Sequence, residues 1–116
     1  MVPFDMGNKI LSLGRYIVVI VESRCSNDCV FCMLGDRKKG LSPISLSEFR
    51  KNAPLFKSLL PFCPGIIFSG AEVTLNRQLS LYASIAGTIG IRHIMIQTNA
   101  RRLASIRYAR GLVASG

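Results

Sequence analysis

The sequence predicts an α/β fold in which three successive βα units form a curved parallel sheet with the helices outside. Three observations predict it. Tyr16-Ile-Val-Val-Ile-Val21 is a continuous β-branched run, short apolar runs then alternate with amphipathic segments, and the chemically unusual residues all follow directly after one of those runs. With 116 residues, 49% of them hydrophobic, and no internal repeat, residues 1–116 read as a single domain, with 1–14 as an N-terminal lead-in segment.

The first strand, Tyr16 to Val21, suits a sheet covered on both faces. Glu22 and Arg24 interrupt it well short of a membrane span. The lead-in holds Pro3, Asp5, Gly7 and Asn8 in place of the basic start and apolar block of a secretory signal, so the expected compartment is the cytoplasm. A cysteine-rich loop follows the strand, then a polar, basic stretch from Gly35 to Pro43.

Ser45-Leu-Ser-Glu48 has the spacing at which Ser and Glu side chains cap a helix start. Leu46, Phe49, Ala53, Phe56 and Leu60 give that helix its buried stripe, Pro54 predicts a kink or restart near Ala53, and Pro61 and Pro64 end it. The second strand, Ile66 to Ser69, runs into Gly70-Ala-Glu-Val-Thr74. A second helix is expected from about Arg77 to Ala86, closed by Gly87 and Gly90. The third strand is Ile91 to Gln97, followed by Thr98-Asn-Ala100, and Leu103, Ile106, Ala109 and Val113 form the inward stripe of a third helix. Right-handed crossovers bring the loops after all three strands to one edge of the sheet.

Cys25-Ser-Asn-Asp-Cys29-Val-Phe-Cys32 places three thiolates in one short loop, without the even spread of a disulfide scaffold. Structural zinc is usually closed by four ligands, and the remaining candidates, Cys63 and His93, each stand alone on or beside another strand. A 4Fe-4S cluster held by three cysteines fits better and leaves one iron open to a small molecule. Cys63 reads as a small core residue and His93 as a hydrogen-bonded or surface histidine. Glu72, at a strand end after Ser-Gly-Ala, reads as a functional loop acid. Thr98 and Asn99 are balanced between a turn with a helix cap and a cofactor contact.

The pattern then becomes specific. Cys25-x3-Cys29-x-Phe31-Cys32 resembles the signature of the radical S-adenosylmethionine (radical SAM) superfamily, including the aromatic residue before the last cysteine. Phe68-Ser-Gly-Ala-Glu-Val-Thr-Leu75 resembles that family's Gly-Gly-Glu-Pro-Thr motif, with Gly70 and Glu72 retained, Ala71 for the second glycine and Val73 for proline. Gln97-Thr-Asn-Ala100 resembles its Thr-Asn-Gly turn, with Ala100 in the glycine's place.

The resemblance implies a partial TIM-like barrel with about three of the usual six βα units, and so the N-terminal portion of a radical SAM core. That portion is either a piece of a longer gene product, the expected case, or a half completed by a partner. By the same resemblance, Cys25, Cys29 and Cys32 bind three irons, and the amine and carboxylate of S-adenosylmethionine chelate the fourth. Phe31 packs near the adenine, Gly70, Ala71 and Glu72 meet the methionyl amino group mostly through backbone atoms, and Thr98 and Asn99 lie in the cofactor turn. A reductant such as a flavodoxin or ferredoxin supplies the electron that cleaves the sulfonium, and the resulting 5'-deoxyadenosyl radical takes a hydrogen atom from the substrate.

The balance of 15 Lys and Arg against 6 Asp and Glu gives a net charge of +9. Arg37-Lys-Lys39 is the only run of three, and Arg101, Arg102, Arg107 and Arg110 are spread over the third helix region. Without a base-reading module, these charges read as a solvated surface ahead of a nucleic-acid patch; an anionic substrate or acidic partner also suits their sign. The rival readings are a non-catalytic iron-sulfur or zinc-binding module and a basic nucleic-acid-binding protein. Neither accounts for Gly70 to Thr74.

Overall fold

The computed structural model of the chain describes residues 10–24 and 42–116. It contains a four-stranded sheet in the order β1-β2-β3-β4, with β1 at Ile10–Leu13, β2 at Tyr16–Glu22, β3 at Gly65–Gly70 and β4 at His93–Ile96. The strands β2, β3 and β4 are mutually parallel, as the βα alternation requires. Between them run α1 (Leu46–Lys51), α2 (Ala53–Leu59) and α3 (Leu79–Ile89), and α4 (Ile106–Ala114) follows β4.

The lead-in carries a strand that the sequence reading does not place. β1 pairs antiparallel with β2 through a two-residue loop, Gly14-Arg15, so the sheet is mixed, with one antiparallel edge. Gly14 has φ 60, the positive value that the first loop residue needs in hairpins whose twist matches their strands. Only four residues of strand precede that loop, too few to show a period in the sequence.

The first helical region behaves as its sequence dictates. The Ser45 hydroxyl oxygen accepts the Glu48 amide at 3.1 Å, and the helix breaks at Asn52 so that Pro54 falls in the first turn of α2, where its missing N–H costs nothing. Phe49 and Phe56 are fully buried on one stripe. They meet Phe68 from β3 and Tyr82 from α3 in a ring cluster with centroid separations of 5.1 to 6.0 Å, a spacing at which edge-on and tilted pairs attract. The Tyr82 hydroxyl donates to the carbonyl of Ile44 at 2.7 Å, so its polar end is satisfied inside the core. Cys63 is buried as expected, and His93 is exposed on β4.

The last helix departs from expectation. Ile106 and Val113 are 66% and 79% exposed, while Leu112 packs against the core. Leu103 belongs to a separate 3-10 turn, Arg101–Ala104, and Ser105 is extended between that turn and α4. The three-to-four spacing counted from Leu103 therefore crosses a break, and the inward face of α4 carries Leu112 beside the half-buried Ala109, with Ile106 outside it.

Phe49→Ala removes the ring that touches all three others, and should destabilise the chain by about 3–5 kcal/mol in denaturant titration. Phe62→Ser, at a ring 73% exposed, should change stability by no more than about 0.5 kcal/mol in the same experiment.

Candidate functional site

The C-terminal ends of β2, β3 and β4 meet along one edge, and hydrogen bonds lace the three together. At the end of β2, the carbonyls of Val21, Glu22 and Arg24 accept from the Asn76 side-chain amide at 2.8 Å, the Ala71 amide at 2.9 Å and the Glu72 amide at 2.8 Å. The loop after β3 is thus tied to the end of β2 bond by bond. The parallel register shifts between Ile20 and Glu22, where a bulge lets β2 turn against Gly70. Gly70 has φ 130, and a Cβ there would overlap the carbonyl of Glu22, so glycine is required both by its backbone conformation and by the close approach of the two strands.

Glu72 is 2% exposed, and its carboxylate ties the loop after β3 to the loop after β4. It accepts from the Thr74 amide at 3.0 Å and the Thr74 hydroxyl, from the Thr98 hydroxyl at 2.6 Å and from the Asn99 amide at 2.5 Å. Burial alone would raise this carboxyl's pKa. The hydroxyls of Thr74 and Thr98 and the amides of Asn99 and Thr74 outweigh it and hold the group below the ordinary glutamate range. An acid kept ionised by four donors is a poor proton acceptor, and this one holds the site together.

The turn after β4 is ordered in the same way. The Thr98 hydroxyl oxygen accepts from the Ala100 amide at 3.0 Å, and the Asn99 side-chain oxygen accepts from the Arg101 amide at 3.1 Å. Ala100 sits at φ 65, a left-handed conformation. Its alanine side chain therefore carries the steric cost that a glycine in this turn would avoid.

Of the residues singled out from the sequence, Gly70, Ala71, Glu72, Thr98 and Asn99 are brought together here. Cys25, Cys29, Cys32 and Phe31 lie outside the described residues. Among the described residues, no three His, Cys, Asp or Glu side chains form a metal-binding group.

Two contributors were missed by the sequence reading, Glu22 and Arg24. Glu22 is 6% exposed, and its carboxylate accepts from the amides of Ser23 and Arg24, each at 3.0 Å, and from the Arg24 guanidinium at two points, each 2.9 Å. Burial pushes the Glu22 carboxyl upward, but the Arg24 side chain and these two amides bring it below its usual value. Arg24 also donates to the Leu75 carbonyl at 3.0 Å. The signal was an acid closing an apolar strand with an arginine two residues on, directly before the first cysteine.

Residues 19–116 match the model of the Radical SAM superfamily. The chain is also similar to the 7,8-dihydro-6-hydroxymethylpterin dimethyltransferase of Methanocaldococcus jannaschii, at 27% identity over 97 residues, which is 83% of this chain and 19% of that protein. The chain thus spans about a fifth of that relative's length.

Glu72→Gln leaves buried donors facing an amide and should cost about 2–4 kcal/mol of stability. Both Glu22 and Glu72 titrate lower when folded, so their stabilisation is complete above the unfolded glutamate pKa of about 4.3 and is lost as pH falls through the folded values. Denaturant titration across that range should show a flatter acid limb for Glu72→Gln than for the natural chain. Ala100→Gly should raise stability by about 0.5–1 kcal/mol in the same assay, since it relieves a left-handed alanine at some cost in backbone entropy.

Proposed function

The chain belongs to the radical SAM superfamily, and on that premise we propose that it holds a 4Fe-4S cluster on Cys25, Cys29 and Cys32 and binds S-adenosylmethionine at the adjoining strand ends. The observation that carries this reading is the bond from the Glu72 amide to the Arg24 carbonyl. It fixes Arg24, the residue directly before Cys25 in the sequence, against the Gly70–Glu72 segment, beside the loops expected to meet the cofactor.

The donor set fits the group. Three thiolates spaced for one compact cluster are soft ligands suited to iron and sulfide, and one iron is left for a non-protein ligand. When bound, the cluster and S-adenosylmethionine would supply one-electron reductive chemistry at the sulfonium, directed at a hydrogen atom of the substrate.

The chain's own residues prepare that edge. Gly70 lets β3 close on β2, Glu72 fixes the turn carrying Thr98 and Asn99, and the Gly70, Ala71 and Glu72 backbone is the surface we assign to the methionyl amino group. Phe31 is assigned to the adenine. On this reading the parallel strands belong to a TIM-like barrel, the electron comes from a flavodoxin or ferredoxin, and the protein works in the cytoplasm. Among the described residues, no helix is long and apolar enough to cross a membrane.

The test is anaerobic reconstitution with iron and sulfide, followed by electron paramagnetic resonance of the reduced chain. The expected result is a 4Fe-4S signal that shifts when S-adenosylmethionine is added and that Cys29→Ala abolishes. Retention of zinc with no cluster would overturn the proposal. A cluster indifferent to S-adenosylmethionine would overturn the cofactor assignment in favour of an electron-transfer module.

A further inference from the structure

A second feature stands apart from the strand-end site. A cleft of about 490 Å³ lies between the start of α3 and the inner side of α4, and Arg77, Arg102 and Arg107 line it together with Asn76, Ser80 and Tyr108. The arginines that look scattered in the sequence converge here, and among the described residues no carboxylate lines the cleft.

The described acidic residues are engaged elsewhere. Glu22 pairs with Arg24, Glu48 lies at the α1 start and Glu72 is buried among the strand-end donors. Arg77 and Arg107 form no ion pair among the described residues. Three guanidinium groups around one cleft repel each other until a counter-charge enters, and that repulsion favours a multiply charged anion.

One of the three is already in place. Arg102 donates from Nη1 to the Thr74 carbonyl at 2.9 Å, and its guanidinium lies over the Tyr108 ring at 4.6 Å from the centroid. The Tyr108 hydroxyl lies 3.5 Å from the same carbonyl. A guanidinium has five N–H donors in a rigid fork, so Arg102 keeps donors to spare while its orientation is already fixed. Fixing one donor in advance lowers the ordering cost of binding. Ser80 adds a hydroxyl to the lining.

We propose that this cleft binds a phosphate-type anion, the phosphate monoester or diphosphate of a small molecule, with Arg102 as the fixed donor and Arg77 and Arg107 closing on the charge. The site stands independently of the iron and of the reading above. It does touch the strand-end site through two residues: Thr74 gives its carbonyl to Arg102 and its amide and hydroxyl to Glu72, and Asn76 lines the cleft while its side-chain amide donates to the Val21 carbonyl.

A second basic cleft provides an internal control. Arg15, Lys57 and Arg92 line a concavity beside the starts of β2 and β4, at the opposite end of the strands. Isothermal titration with inorganic pyrophosphate at about 0.15 M salt should give saturable binding. The double variant Arg77→Gln with Arg107→Gln should weaken it about tenfold or more, while Arg15→Gln with Arg92→Gln leaves it unchanged. All four side chains are exposed, so both variants should retain the natural thermal unfolding curve. The proposal is overturned if no saturable binding occurs, if the first variant binds as the natural chain does, or if both variants lose equally. It is also overturned if a single-stranded oligonucleotide binds more tightly than pyrophosphate and is weakened by both variants alike, which would mark general attraction to nucleic acid.

Discussion

The carboxylate of Glu72 accepts from Thr74 in its own loop and from Thr98 and Asn99 in the loop after β4, and the order of the strand-end site rests on those bonds. A buried charge is tolerated only when hydrogen bonds replace its lost water, so the group and its donors are mutually dependent. Without the carboxylate, two hydroxyls and two amides would face a cavity. Without those donors, the carboxylate would take up a proton. The positions that the sequence singles out after β3 and after β4 are thereby one cooperative unit.

Close backbone contact does the rest. Gly70 allows the end of β3 to lie against the carbonyl of Glu22, which the bulge in β2 turns toward it. Ala71 and Glu72 then donate their amides to Glu22, the last residue of β2, and to Arg24 just beyond it, and Arg24 reaches across to Leu75. The small residues of the Gly70-Ala71-Glu72 stretch thus have a purpose besides admitting a cofactor. They let two strands meet at a distance that a side chain at Gly70 would forbid.

Much of this was legible in the sequence, and what was legible was local. The Ser45-to-Glu48 cap, the break before Pro54, the burial of Cys63 and the parallel strand order all follow from a residue's own chemistry or from a period of two or three to four. The features not legible depended on phase or on distance. Ser105 interrupts the count from Leu103 into α4, so Ile106 falls outside the stripe while Ala109 stays half-buried and Leu112 joins it, and the short hairpin at Gly14 gives no period to detect. Glu22 and Arg24 looked like the polar end of an apolar run, because their partners at Leu75 and Ala71 are far along the chain. The arginines at 77, 102 and 107 likewise looked dispersed until the packing of α4 beside α3 set them around one cleft.

That distance has a consequence for how the site is kept. The bond from Arg24 to Leu75 spans 51 residues and the bond from Asn76 to Val21 spans 55. Contacts so far apart in sequence carry a large loop-closure entropy and do not persist once the intervening sheet opens. Only the bonds of Glu22 to Ser23 and Arg24 are local there, so the alignment of the end of β2 with the loop after β3 stands or falls with the folded core. A weakened ring at Phe56, well away from any chemistry, would be felt at the strand ends as a loss of order.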